Sequence, residues 1–389
     1  MLAGGCVRDM LLKARCSDYD VATDATPQQV ARLFRRVLLI GAKFGVAMVI
    51  YKGRQVEVAT FRSDVSYTDG RRPDAVRLAD ARQDALRRDF TINGMFYDPF
   101  SGKHGKLVDY VGGRKDLARK VLRTIGSADR RFAEDYLRMI RAVRFAVRLG
   151  FTIDPRTVAA VRRHAPKIKA ISGERIYDEL TKMLGHRSAA HAASKLAELG
   201  LARHIFPETL ADRALYEAGV ARMEVLAKRR ESSLALGAML CELRPVEIRK
   251  IGRRWGASNE LKDEFCFYSR HFGRWVNAET MPLCDFKRLM ASPHFGRLKA
   301  LWRAEEKRQT GLQRHSRRIA LRIKAIPTRE IAPDPLLTGD DLIKMGLSEG
   351  PLLGRVLRRI YDAQLNEVIS TEYQAAKLAE DLAADSSKK

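Results

Sequence analysis

The chain changes its hydrophobic period once. Strand and helix signals mix up to about residue 110, and helix-period patterns dominate from about residue 111 onward. A fold of the α+β class follows, a mixed-sheet segment joined to an all-helical remainder. In the first segment Val46 to Tyr51 and Gln55 to Phe61 are β-rich runs separated by Lys52-Gly53-Arg54, which reads as an antiparallel hairpin. Pro27 to Leu39 has helical spacing, with Thr26 as N-cap and Pro27 at the first helical position. Near the other end Pro327, Pro333 and Pro335 crowd a stretch that cannot continue a helix and reads as a linker. Asp340 to Met345 and Leu352 to Leu365 then read as two helices joined across Gly346 to Pro351. That junction is either an ordinary helical hairpin or a glycine-led helix start whose free N–H groups meet a phosphate.

Charge narrows the partners. In 389 residues, 72 Lys and Arg stand against 47 Asp and Glu, a net +25 that should seek polyanions. Residues 111 to 170 hold 16 basic against five acidic side chains, and residues 295 to 330 hold 11 against three. Aromatic residues are few there, so phosphate contact is a simpler expectation than base stacking. A membrane role is excluded: no stretch reaches the roughly 18 apolar residues a span needs, and Val37 to Tyr51 is broken by Lys43. Leu2-Ala3-Gly4-Gly5-Cys6 looks like a lipoprotein box, but no n-region and h-region precede it, so no signal peptide is read. Five cysteines without a Cys-x-x-Cys pair give no disulfide framework or zinc site and fit a reducing cytosol. No His-Glu-x-x-His spacing supports a metallohydrolase.

Four elements carry chemistry. Gly4-Gly5 followed by Arg8 lets backbone approach a ligand with a guanidinium one helical step on, and phosphate is the natural guest; a purely structural Gly-Gly turn is the plain alternative. Asp18 and Asp20 project to one face if they lie on a strand, where paired carboxylates suit Mg²⁺; the alternative is a solvated acidic turn. Arg88-Asp89, within Arg87 to Asn93, offers a cation for a triphosphate and a third carboxylate. Glu57 competes for that third place, although an edge-strand charge is its plainer role. In Glu134 to Phe145, Leu137, Ile140, Val143 and Val147 form an apolar stripe with Asp135 and Arg138 beside it at i, i+3. An amphipathic helix explains the stripe. It leaves Arg138, Arg141 and Arg144 in one repulsive file unless something anionic meets them.

Together and in this order, these elements resemble the bacterial class II nucleotidyltransferases of the polymerase-β superfamily, the CCA-adding enzymes and poly(A) polymerases. The match runs from Gly4 to about Leu184, closing on Ile171-Ser172-Gly173-Glu174-Arg175-Ile176, where Ser172 is read as the N-cap of a neck helix. The resemblance implies a head over residues 1–125, a helical neck over 126–185, and an RNA-binding helical body and tail over 186–325 and 326–389. It implies Gly5 and Arg8 at the nucleotide phosphates, Asp18 and Asp20 as Mg²⁺ ligands, and Arg88 and Asp89 as the second catalytic motif. Asp135 and Arg138 would read the base, with Arg141 and Arg144 completing the nucleotide site. Asp89 is expected to orient or deprotonate the attacking RNA 3′-hydroxyl. Only Met1-Leu2-Ala3 precedes the Gly-Gly pair where the family has an apolar strand, so that strand is short or begins upstream, and Gly94 replaces a small alanine.

Within the family, Phe44-Gly45-Val46, Tyr67 and Asp69 to Pro73 resemble the version that adds CCA to the tRNA 3′ end from CTP and ATP, and Ala42 stands where poly(A) polymerases place a basic residue. Leu337 to Pro351 resembles a CCA-enzyme tail. The high charge favours the alternative, a poly(A) polymerase; partial CC or A addition and a dead RNA-binding scaffold are further alternatives. The expected partners are RNA 3′ ends and the two triphosphates, in the cytoplasm, with no membrane and no obligate protein partner.

Overall fold

A computed structural model describes residues 1–16, 18–41, 45–64, 76–229 and 231–386. The described residues fall into two compact units: Met1–Val220 with Ala227–Leu236 and Lys250–Ala257, and Ala221–Leu226 with Gly237–Arg249 and Ser258–Lys389. Among the described residues no helix is long and apolar enough to cross a membrane.

The first unit opens with β1 (Leu2–Ala3), α1 (Gly5–Leu11), β2 (Asp20–Thr23), α2 (Pro27–Leu33), β3 (Val37–Gly41), β4 (Val46–Tyr51) and β5 (Arg54–Thr60). It continues with β6 (Arg62–Asp64), β7 (Val76–Leu78), α3 (Ala81–Arg87), β8 (Met95–Asp98) and β9 (Lys106–Asp109). One mixed sheet runs β3-β4-β5-β2-β1-β8-β9, with β2 and β5 parallel and Asp20 opposite Glu57 in register. The expected hairpin is β4 and β5, turned by Lys52 and Gly53, both at positive φ as a two-residue hairpin requires. β1 is only two residues long, yet it lies inside the sheet between β2 and β8.

Two expectations change here. Thr26 caps α2 in a reciprocal capping box with Gln29, but the helix stops at Leu33, and Val37–Gly41 is a strand paired with β4. The β-branched and leucine run finds sheet hydrogen bonds there, and that tertiary pairing overrides the helical spacing. Glu57 is not an edge charge: β5 lies between β4 and β2.

Helices follow the sheet directly. α4 (Gly113–Ala118), α5 (Ala128–Glu134), α6 (Leu137–Leu149), α7 (Pro155–His164) and α8 (Gly173–Leu184) follow. Val7 of α1, Phe90, Ile92 and Met95 of the head pack into one buried cluster with Ala142, Phe145 and Ala146 of α6. Burial of that apolar area, worth roughly 1.5–3 kcal/mol per large side chain, fixes α6 against the sheet. Ser172 occupies the N-cap position of α8, although its side chain makes no capping hydrogen bond. The start of α8 is set instead by Gly173, where a Cβ would lie 1.6 Å from the Arg254 carbonyl oxygen, and by Tyr177, which stacks on Trp255 at 5.7 Å.

The second unit is helical. Phe286, Phe295 and Trp302 meet edge to face in its core, and Leu342, Val356 and Ile360 form a cluster around the helices Gly339–Lys344 and Pro351–Leu365. The two helices read from the sequence on either side of Gly346 to Pro351 are these.

Gly173→Ala cannot be accommodated while α8 keeps its place, so it is expected to destabilise the protein by about 3 kcal/mol, measured by urea unfolding. An unchanged midpoint would show that α8 is not held by this contact.

Candidate active site

A cavity of about 530 Å³ opens where the head sheet meets α6 and α8, lined by Gly4, Gly5, Arg8, Asp20, Glu57, Arg88, Asp89, Asn93, Asp135, Arg138, Arg141, Phe145 and Arg175. It gathers residues from all four sequence elements, which lie as far apart in the chain as Gly4 and Phe145, and adds Arg175 from beyond them.

The basic wall is built around a glycine. Gly4 has φ +72°, and a Cβ there would lie 2.8 Å from Arg88 Nη1, so only glycine lets the turn into α1 pass so close to that guanidinium. Asn93 ties the wall together. Its Oδ1 accepts from Arg8 Nη1 at 2.7 Å, its carbonyl accepts from Arg88 Nη1 at 3.4 Å, and its Nδ2 donates to Asp89 Oδ1 at 3.2 Å. Arg88 is also held by Asp84, a buried carboxylate one turn earlier on α3 that pairs with Arg87 as well.

The acidic wall is different in kind. Asp18 precedes β2, Asp20 opens it, and Glu57 stands opposite Asp20 on β5; all three side chains are exposed. Desolvation raises the pKa of Asp20, with the Asp18 charge adding to it and Arg88 opposing. Desolvation, then the Asp20 charge, likewise raises Glu57. Among the described residues no three His, Cys, Asp or Glu side chains gather closely enough to hold a metal by themselves. Mutually repelling oxygen donors that do not close a cage fit an Mg²⁺-like ion, which keeps waters and takes phosphate oxygens into its shell.

Asp89 is placed otherwise. Its Oδ1 accepts from the Phe90 N–H and from Asn93, and its Oδ2 accepts from Arg141 Nη2 at 2.7 Å and Nε at 3.0 Å. Burial works against its charge, but Arg141, the field of Arg138 and the Asn93 hydrogen bond outweigh burial and hold its pKa below the usual carboxylate range.

The file of three arginines on α6 is neutralised from within. Arg138 donates to Glu134 Oε2 at 2.6 Å, Arg141 meets Asp89, and Arg144 donates to Glu179 Oε2 at 2.7 Å, with Arg141 also 3.5 Å from Glu179 Oε1. The guanidiniums of Arg8, Arg141 and Arg144 lie 5.4, 5.3 and 4.3 Å from the centre of the Phe145 ring. Asp135 and Arg138 stand side by side as their spacing implies, yet the Asp135 carboxylate is taken by Arg175 Nη2 at 2.8 Å and by the Leu137 N–H.

Glu179 and Asp84 are the residues that the sequence reading passed over, and Asn93 and Arg175 enter it only as members of motifs, with no role of their own. Glu179 had a signal: with Ile176, Leu180, Met183 and Leu184 it occupies the i, i+3, i+4, i+7, i+8 stripe that α8 buries, and a carboxylate there needs a cation. Gly94 is tightly confined, since a Cβ would come 2.7 Å from Val111 Cγ2. Phe44, Tyr67, Asp69 to Pro73 and Ala42, read as marks of the CCA-adding version, lie outside the described residues.

A family model described as the poly A polymerase head domain matches residues 1–123, and one described as the probable RNA and SrmB-binding site of polymerase A matches residues 150–212. The chain is 40% identical over 263 residues to a CCA-adding enzyme of Geobacillus stearothermophilus; the match spans 67% of this chain and 63% of that relative, somewhat under two thirds of its length. A CCA-adding enzyme of Lactococcus lactis subsp. lactis is 33% identical over 382 residues, which cover 97% of this chain and 91% of the relative. The crystal structure of the Bacillus stearothermophilus CCA-adding enzyme in complex with CTP aligns at 29% identity with a TM-score of 0.80, covering 100% of this chain and 94% of that one.

Glu57→Gln tests the acidic wall. A carboxylate whose folded pKa is raised weakens the fold as pH rises through it, so the variant is expected to be more stable than the parent at pH 7 without metal. Because the side chain is exposed the gain is at most about 1 kcal/mol, and it vanishes below about pH 4, where both states are protonated. Thermal unfolding across that range without metal reads the difference.

Proposed function

The chain belongs to the bacterial class II CCA-adding enzyme family, and from that premise we propose that it adds C, C and A to the 3′ end of tRNA from CTP and ATP, releasing pyrophosphate. The observation that carries the reading is the cavity in which the Gly-Gly turn, Asp20 with Glu57, the Arg-Arg-Asp segment and the Asp135–Arg138 helix start converge.

In this reading the 3′-hydroxyl of the RNA attacks the α-phosphate in line. Enzymes of this family use divalent metal ions; we take the ion to be Mg²⁺, held by Asp18 and Asp20. It would supply activation of the attacking hydroxyl and neutralisation of the leaving pyrophosphate. Glu57 is the nearer third carboxylate, because it faces Asp20 across the sheet. Asp89, a carboxylate held ionised by Arg141 and hydrogen-bonded at both oxygens, is a poor proton acceptor, and its role is to position Arg141 and Asn93. Gly5, Arg8 and Arg88 hold the triphosphate, Arg141 and Arg144 complete the nucleotide site, and Asp135 and Arg138 are placed at the base. The boundaries 1–125, 126–185, 186–325 and 326–389 serve as head, neck, body and tail, the last two gripping RNA. The reaction belongs in the cytoplasm, where tRNA and both triphosphates meet.

The test incubates the protein and Mg²⁺ with labelled CTP or ATP and three primers: tRNA lacking CCA, tRNA ending in CC, and oligo(A). Two C and one A on the first primer and one A on the second are expected. Long A tails on oligo(A) would instead identify a poly(A) polymerase.

A further inference from the structure

We propose that Lys287, Asn366 and Glu367 are positioning residues: they lock the tail to the body, so that the chain grips RNA at two fixed places and selects tRNA over a short stem. The proposal rests on the CCA-addition reading above and deepens it, by naming what sets the choice of RNA.

A linker is what Pro327, Pro333 and Pro335 imply, and a flexible one would leave the last helices tethered but free to move. In the folded chain that stretch is pinned instead. Tyr361 Oη donates to the Pro333 carbonyl at 3.0 Å, and Gln364 donates to the Asp334 carbonyl at 2.8 Å while accepting from the Leu336 N–H at 3.1 Å. The C-terminal end of the same helix, Pro351–Leu365, meets the body helix Leu283–Ala291. Pro282 at the N-cap of that body helix offers no side-chain acceptor, and the Cys284 N–H is taken by Asn366 Oδ1 at 2.8 Å, a cap supplied from 82 positions away. Lys287 Nζ donates to Glu367 Oε1 at 2.8 Å, and Arg288 pairs with Asp362.

Two features set this contact apart from ordinary packing. The Lys287 side chain is only 2% exposed, and an ammonium taken out of water needs an opposite charge within reach. Glu367 has φ +61°, in the left-handed region, just past a helix C-terminus where glycine is the usual residue. Glycine would relieve that conformation but could not hold Lys287.

Both partners of the lock carry basic surface. Arg355, Arg358 and Arg359 are exposed on the tail helix at i, i+3 and i+4, and Arg317 and Lys324 are exposed on the body helix Arg314–Ala325. With the joint closed, the two surfaces keep one spacing. A folded RNA whose phosphates match it meets both without ordering the tail first, whereas an RNA too short to span them meets one. A free tail would follow any RNA.

Fluorescence anisotropy measures binding of a labelled tRNA lacking CCA and of a hairpin made of its acceptor stem alone. The proteins are the parent, Glu367→Gln, Glu367→Gly, and Glu367→Gly combined with Lys287→Met, and C addition to both RNAs is followed in parallel. The parent is expected to bind tRNA at least about tenfold more tightly than the hairpin. Glu367→Gly is expected to lose most of that ratio by weakening tRNA alone, with kcat at saturating tRNA unchanged. Glu367→Gln, which keeps an acceptor for Lys287, should retain most of it. The double variant also removes the unpaired buried charge, and is expected to regain thermal stability without regaining the ratio. Equal weakening of both RNAs, an unchanged ratio in Glu367→Gly, or a ratio that returns with stability in the double variant overturns the proposal, as does a parent that binds both RNAs alike. A parent that adds no C to either RNA removes the nucleotidyl-transfer reading, and the binding ratios then decide the lock by themselves.

Discussion

A chain of mostly buried charges, Asp89 to Arg141 to Glu179 to Arg144, joins the segment after α3 to helices α6 and α8. Removing these groups from water is expensive, and each is tolerable only because the next supplies the opposite charge at hydrogen-bond distance. The network crosses three elements: the segment after α3 carries Asp89, α6 carries both arginines, and α8 carries Glu179. With the apolar cluster around Phe90 and Phe145 behind it, it fixes where α6 presents Arg138 and Arg141 to the cavity and where α8 presents Arg175. Packing brings these elements together without specifying their axial register. The directional ion pairs do that.

The two walls of the cavity use charge in opposite ways. On the basic side nearly every guanidinium has a protein carboxylate or amide, through Asn93, Asp84, Asp89, Glu134 and Glu179, so the cations are positioned before any ligand arrives. On the acidic side burial and neighbouring carboxylates raise the cost of ionising Asp20 and Glu57 against the opposing fields of Arg88 and Arg62, and a cation arriving there would lower it. A site preorganised for anions next to one short of a cation is suited to a metal–triphosphate complex. The net charge of +25 is thereby divided. Of the excess of 11 in residues 111–170, a part is met from outside the segment, by Asp89 and Glu179 at Arg141 and Arg144 and by Glu198 at Arg162, and the exposed arginines and lysines that remain suit a polyanion.

How much of this was legible beforehand depended on the range of the interaction. The hairpin at Lys52-Gly53, the Thr26 capping box and the paired aspartates are local, and short spacings expose them. Val37 to Leu39 reads as helix from the sequence because its strand partner β4 is a tertiary fact, and Glu57 reads as an edge charge because β2 pairs with β5 only through a crossover. The arginine file was correctly seen as incompatible with isolation. Its counter-charges come from as far as 52 residues before and 38 after, and only Glu179 carried a local hint, a carboxylate in a buried stripe. Arg175 carried none, because its partner Asp135 lies 40 positions earlier, between α5 and α6.

The account turns on Asp89 and Arg141 acting as one buried unit before any nucleotide is present. A double-mutant cycle of Asp89→Asn and Arg141→Gln, read by urea unfolding of the ligand-free protein, measures that coupling directly. A coupling energy of about 1.5–3 kcal/mol is predicted for a close, largely buried charge pair. A value below about 0.5 kcal/mol would mean that the two side chains act independently, and that something other than this network sets the register of head and neck.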